Sequence, residues 1–364
     1  MIKRKQLMLL LIVVLLALLV SGCRGTGAVA AGWPGVTIQG DTAYIADNQA
    51  IYSIDLSNNG RQLDTYPAEA IRGATFYHPP VLLDEANLLE GGYNNKIYQI
   101  DLEDGSSAEF FTEAKNRWIG SPLLVEDTLY APNSNGTLYA LTLDGESIWE
   151  FETDAAIWAA PVYADGRLYV ASQDHHLYAI NANTGDLIWD ADLGASAVSS
   201  PVLAEDGTLY LGTFGSEVFA IDSKGGAVLW KVNTEGWVWG SPVIGPENTL
   251  FVTDLNANLY AIDTFEHAIL WEKQVDSGTS ITGSALLYND ALFVATRSGV
   301  VASYDLQGER LWKEDLGEEA GEFYGTPVAT GDGTILVSAV GAGNIIYAYN
   351  TSLEPLWQFT PQKN

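Results

Sequence analysis

Cysteine is almost absent from this chain. One residue in 364, Cys23, carries a thiol, so no disulfide can form within it. Positive charge is scarce too: 17 Lys and Arg stand against 46 Asp and Glu, a net charge of -29. So acidic a field excludes nucleic acid and anionic membrane surfaces as partners held by bulk electrostatics, and it favours solubility and basic or cationic partners. Catalytic signatures are missing as well. No His/Asp/Ser triad spacing, paired-carboxylate motif or Gly-rich phosphate loop stands in a context that would support it. No loop has the D-x-[DN]-x-[DN]-G core with a Glu at its twelfth position, so the cluster Asn181, Asn183 and Asp186 reads as a turn and no metal site is expected. The pair His175 and His176 is the nearest approach to a ligand set, but neighbours on a strand edge point to opposite faces and cannot easily share one metal.

What the chain does have is repetition. Residues 160–189 hold apolar clusters of β-branched and aromatic residues, broken by Asp165-Gly166, Ser172-Gln173-Asp174 and Asn183-Thr184-Gly185, which reads as four short antiparallel strands. The pattern returns along almost the whole sequence, and self-similarity at roughly 40 to 45 residues with four strands per unit marks a propeller blade. Pro80, Pro122, Pro161, Pro201, Pro242 and Pro327 open successive units, with Ala285 filling the one gap. Trp149, Trp189, Trp230, Trp271, Trp312 and Trp357 close them, and two weaker copies end near Tyr66 and at Phe110. The count is eight, so the expectation is an all-β fold, an eight-bladed β-propeller of four-stranded antiparallel blades over residues 34–364. Length alone would suggest two or three domains, but stacked repeats form one closed body.

Ahead of the repeats, Lys3, Arg4 and Lys5 form a positive start and residues 7–20 an unbroken apolar run, short for a membrane span and right for a signal peptide. The stretch Leu19-Val20-Ser21-Gly22-Cys23 resembles the lipobox of bacterial lipoproteins. That resemblance implies a signal peptide over residues 1–22, a lipidated Cys23, and a short tether over residues 23–33.

Strand logic assigns jobs within each blade. Strand A follows the Pro and is innermost, and strand D carries the Trp. The D–A and B–C loops share one face. Near the entry to strand A stand Tyr77, Trp118, Trp158, Trp237, Trp239 and Tyr324, and the B–C loops add His175, His176 and Arg297. These residues form a candidate binding rim at one mouth of the central channel, suited to an extended peptide, a loop of a partner or a sugar. The same aromatics are equally suited to packing between blades.

The repeat D/N-x-x-x-G-x-x-x-W, preceded by S-P-V and L-Y-A-I runs, resembles the pyrroloquinoline-quinone (PQQ) type β-propeller repeat with its tryptophan-docking motif, from about Gly35 to Thr360. With the lipobox, eight such blades resemble the BamB family, propeller lipoproteins of the outer-membrane β-barrel assembly machine. The resemblance implies that each closing Trp packs against the neighbouring blade. Quinoprotein dehydrogenases carry the same repeat, but their cofactor lies between a Trp and a disulfide of adjacent cysteines, above calcium and beside a catalytic Asp. This chain has one Cys and short loops, so no cofactor and no catalytic residue are expected. The reading is a non-catalytic cell-envelope scaffold with a protein partner, touching the membrane through its lipid alone. A small-molecule or glycan-binding propeller lipoprotein is the alternative, and a PQQ-dependent dehydrogenase ranks behind both. Arg24 stands where an Asp is associated with inner-membrane retention. That points to the periplasmic face of the outer membrane in a two-membrane cell, or the outer face of the plasma membrane in a cell with one.

Replacing Cys23 by Ala should release the protein into the soluble fraction or leave it unprocessed, because stable anchoring needs more than one acyl chain. Fractionation and mass measurement check this; unchanged retention and size would count against lipidation.

Overall fold

The computed structural model describes residues 35–76, 78–341 and 343–362. The signal segment, Cys23, the tether and Tyr77 lie outside the described residues. Eight four-stranded antiparallel sheets follow one another, each made of four strands consecutive in the chain. The fourth blade is typical, with strands A to D at Val162–Ala164, Arg167–Ala171, His176–Asn181 and Leu187–Asp192. This is the eight-bladed propeller that the Pro and Trp spacing predicts.

Each strand is shaped by where it lies in the blade. Strands B and C are buried on both faces, since every blade is sandwiched between two others: Leu168, Tyr169, Val170 and Ala171 of strand B are all buried. That is why these runs are continuously apolar rather than alternating. The C–D turns are closed by an Asx side chain that takes its own backbone N–H groups. Asn181 Oδ1 accepts from the N–H of Asn183 at 2.9 Å, and Asp305 Oδ1 from those of Gln307 and Glu309 at 3.0 and 2.8 Å.

In the six Trp-closed blades the Trp lies opposite a small residue, and there the C–D ladder slips. Ala179 pairs with Trp189 and the register shifts between Ala179 and Ile180; Ala140 with Trp149 and Ala220 with Trp230 repeat the arrangement. A bulge at this point re-aims the strand, and the indole reaches the next blade's C–D turn. Trp189 Nε1 donates to Ser223 O at 3.1 Å, Trp149 Nε1 to Ala182 O at 3.0 Å, and Trp271 Nε1 to Leu306 O at 3.0 Å. The turn must leave room for the ring. Gly226, at φ 73°, lies under Trp189, and a Cβ there would come within 2.6 Å of the indole. The sixth blade has His267 at the corresponding position, and Trp230 stacks on its imidazole at 5.1 Å and 23°. The eighth has Leu353 there, and Trp312 meets Tyr349 edge-on at 6.1 Å.

The same device closes the ring. Trp357 of the last blade lies over Gly60 of the first, and Leu336, Ile346 and Phe359 share a core with Ala43, Ile45 and Ile54. Among the described residues, no strand is exchanged across this seam.

Trp189→Ala should lower stability by about 3–5 kcal/mol, since it leaves a cavity in a seam and removes one of the donors to the Ser223 carbonyl. Trp230→Ala should cost less, because its ring is only half-buried. Denaturant unfolding measures both, and a loss under about 1 kcal/mol at Trp189 would mean that the seam does not depend on the indole.

Candidate functional site

The D–A connections cross from blade to blade around one mouth of the central channel. Counted back from the residue that opens strand A, the fifth residue gives its carbonyl to the B–C loop of the blade about to begin, and in the connections up to the seventh blade the fourth donates its N–H to the B–C loop of the blade just left; entering the eighth, Glu322 exchanges both bonds with Val340. Ala156 O accepts from Gln173 N at 3.0 Å, while Ile157 N donates to Asn133 O at 3.2 Å; Trp237 O and Val238 N repeat this with Leu255 N and Thr213 O. With the backbone clasped on both sides, successive side chains point in opposite directions. The fourth residue is buried throughout: Phe76, Trp118, Ile157, Ala197, Val238, Ile281 and Phe323 are each 0 % exposed. The third residue faces the channel, as Trp158, Trp239 and Tyr324 do.

Trp118 therefore does not belong to the rim. It lies one residue out of phase with Trp158 and Trp239, which turns its side chain into the core between blades, against Phe111 at 6.2 Å and Tyr139 at 5.7 Å. Ile119 takes the channel-facing place instead. Trp158, Trp237, Trp239 and Tyr324 do gather at the mouth. Trp158 and Trp239 meet across the intervening fifth blade, centroids 6.2 Å apart and 37° inclined, because Val198, its channel-facing residue, is small. Trp237, two residues before Trp239, is 54 % exposed and stacks on Phe214 at 5.2 Å and 19°. Phe214 also touches Trp239 at 5.4 Å.

Phe214 is a rim residue that sequence reasoning missed. It is the residue of its B–C loop whose N–H is bonded to the D–A connection, at Ser196 O. Tyr93 and Arg297 occupy the same place in other blades. Arg297 lies over the Tyr324 ring at 4.7 Å and pairs with Glu322 at 2.9 Å, and the Arg117 guanidinium lies 4.7 Å from the Tyr93 ring centroid. In each case the loop residue of one blade meets a D–A residue of the next. Of the other candidates, His176 turns outward, its Nδ1 3.0 Å from Asp190 Oδ2 on strand D and its ring stacked on Tyr178. His175 is exposed in the turn at φ 78°. The structure brings neither to the channel mouth.

Below the rim lies a cavity of ≈ 320 Å³ on the axis. Its neck is ringed by Ser121, Ser200, Ser241, Ser284 and Thr326, each directly before the residue that opens strand A. The residues one step further back are small because adjacent connections touch there. A Cβ on Gly283 would come within 2.5 Å of Gly325 O.

The second blade breaks this rule. His78 stands at the small-residue position, and behind it Glu90 stands on strand B where the other blades have Ile45, Ala131, Val170, Leu211, Val252, Val294 and Val337. Both are buried, and His78 Nδ1 lies 3.4 Å from Glu90 Oε1. Burial drives each toward its neutral form: the imidazole is pulled down to about 4 and the carboxyl is pushed well above the usual range. His78 Nε2 faces the Gly91 N–H at 3.3 Å, which leaves Nδ1 to carry the proton and donate to Pro79 O at 3.0 Å. Neither oxygen of Glu90 has a hydrogen-bond partner among the described residues.

The repeat type implies PQQ, and the residues present do not fit it. PQQ is a polyanion, yet among the described residues the cavity wall holds no Arg, Lys, Asp or Glu, and its histidine is neutral. The single Cys of the chain cannot supply a disulfide platform.

A family model described as outer membrane protein assembly factor BamB matches residues 112–236, 215–288 and 278–363. Among curated proteins, outer membrane protein assembly factor BamB of Salmonella typhimurium is 28 % identical over 95 residues, 23 % of this chain and 24 % of that protein. Quinoprotein alcohol dehydrogenase PedH of Pseudomonas putida is 26 % identical over 192 residues, 50 % of this chain and 31 % of that one. The chain thus spans about a quarter of the curated BamB relative and under a third of PedH. The crystal structure of BamB from Moraxella catarrhalis superposes with a TM-score of 0.67 at 14 % identity, covering 89 % of this chain and 96 % of that one.

The buried pair gives the fold a pH signature. The Glu90 value is raised on folding, so its contribution is complete below the unfolded carboxyl range and is lost as pH rises toward the folded value. The His78 value is lowered, so its contribution is complete above about 6.5 and is lost as pH falls toward 4. Glu90→Gln should flatten the alkaline decline and raise the melting temperature at neutral pH. Thermal unfolding from pH 5 to 9 tests this; a profile identical to wild type would show that the carboxyl does not titrate there.

Proposed function

This chain belongs to the family of outer membrane protein assembly factor BamB, and from that premise we propose that it is a non-catalytic scaffold docking an envelope protein on the channel-mouth face. The observation that carries the reading is Trp237. A half-exposed indole backed by Phe214, beside Trp239, is a rigid aromatic whose ordering on binding costs little, the kind of residue that anchors protein interfaces. Tyr324, held under Arg297 and bonded to Glu322, extends the same face with an oriented polar group. Among the described residues the cavity wall holds no carboxylate, ammonium or guanidinium and no nucleophile paired with a base, which supports a docking role over oxidation. The likeness to PedH is then a matter of shared repeats. Cys23 is the lipid anchor in this reading, keeping the propeller at the envelope.

Trp237→Ala combined with Arg297→Ala should weaken capture of the envelope partner by about 2 kcal/mol or more, roughly thirtyfold in Kd. The melting temperature should change little, since both side chains are exposed. Cross-linking in intact cells identifies the partner, and titration of the purified pair reads the loss. Wild-type affinity in the double variant would remove the docking role from this face.

A further inference from the structure

The central cavity carries a second reading, independent of protein docking on the rim. Its chemistry is unusual for so acidic a protein: among the described residues no carboxylate, ammonium or guanidinium lines it. His78, which does line it, is buried and neutral, with both ring nitrogens committed to Gly91 N–H and Pro79 O. The Tyr324 hydroxyl is turned to Glu322. What remains is two kinds of surface. One is the inclined pair of indoles, Trp158 and Trp239, with Phe214 continuing the aromatic surface outward. The other is the ring of Ser and Thr at the neck, small hydroxyls on inner-strand starts whose backbone is fixed by contact between neighbouring blades.

We propose that the cavity is a binding site for an uncharged carbohydrate, a pyranose unit whose C–H face lies on Trp158 and Trp239 and whose hydroxyls meet the seryl ring. A pyranose has one apolar face and a polar perimeter, which matches an aromatic wall over a hydroxyl ring. An anionic or cationic ligand would enter with no counter-charge and lose its hydration. The volume of ≈ 320 Å³ lies at the lower end of small-molecule sites, enough for a terminal sugar and too little for a folded partner element.

The test is calorimetric and NMR titration of the purified protein with two neutral probes, maltotriose and tri-N-acetylchitotriose, and with glucuronic acid as a charged control. At least one neutral probe should bind saturably, with an affinity unchanged between low and high salt, while glucuronic acid does not bind. Trp158→Ala should weaken that binding at least tenfold; Trp158→Phe, which keeps a ring and guards against loss of folding, should weaken it less. Rim variants at Trp237 and Arg297 should leave it intact, so a protein that fails to capture its partner can still pass here, and the reverse. No saturable binding by either neutral sugar up to about 10 mM would overturn the proposal. So would binding that survives Trp158→Ala, or preference for glucuronic acid.

Discussion

The ring stands on the clasp made by the D–A connections, in which, up to the seventh blade, one residue's carbonyl is held by the next blade and the following residue's N–H by the last. Fixing both neighbours in this way determines which side chain is driven between the blades and which is left facing the axis. Burial of Phe76, Trp118, Ile157 and their counterparts, and the presentation of Trp158, Trp239 and Tyr324, are two results of one backbone arrangement. Core and candidate site are consequently inseparable in this fold. At the outer edge the closing Trp does the corresponding work, with a bulge aiming it and a Gly or an aromatic ring receiving it.

Much of this is legible in the residues. Turn chemistry and the recurring Pro and Trp give the blade count, and the two units that lack the closing Trp are still readable from their B and C strands. The phase within the D–A connection is harder to read, because that segment is irregular and carries no alternation of its own. Trp118 looks like a rim residue until it is aligned with Phe76 and Phe323, all apolar and all four places before the start of strand A; the common character of that column was the available signal. Phe214 and Tyr93 carry no charge to mark them out in their B–C loops; what singles them out is the backbone N–H bonded to the D–A connection. Glu90 was hidden for a different reason. A carboxylate in a run such as Leu-Leu-Glu-Gly looks like an exposed strand end, and only the aliphatic residues at the same place in seven other blades expose it as an anomaly.

Charge is partitioned sharply. The chain's large negative excess lies largely on turns and outer strands, where water screens it, while among the described residues the cavity on the axis is lined by no carboxylate, ammonium or guanidinium, and the buried Glu90 lies behind it beside a neutral imidazole. Two surfaces with different rules follow. On the outer surface and rim charge and its screening by salt dominate, and on the axis shape and hydrogen bonding do. A protein and a small neutral ligand can thus be sorted to different parts of one face without competing for the same groups.

Closure by side chains alone has a further consequence. The seam between the last and first blades is built like those that follow the Trp-closed blades, with an indole over a turn and a shared aliphatic core. The chain's cut is therefore topologically arbitrary: joining the blades at residues near 35 and 362 through a short linker and opening any D–A connection would give a circular permutant with the same ring. The order of blades in the sequence carries no structural privilege, and each seam is as fit a place for the opening as any other.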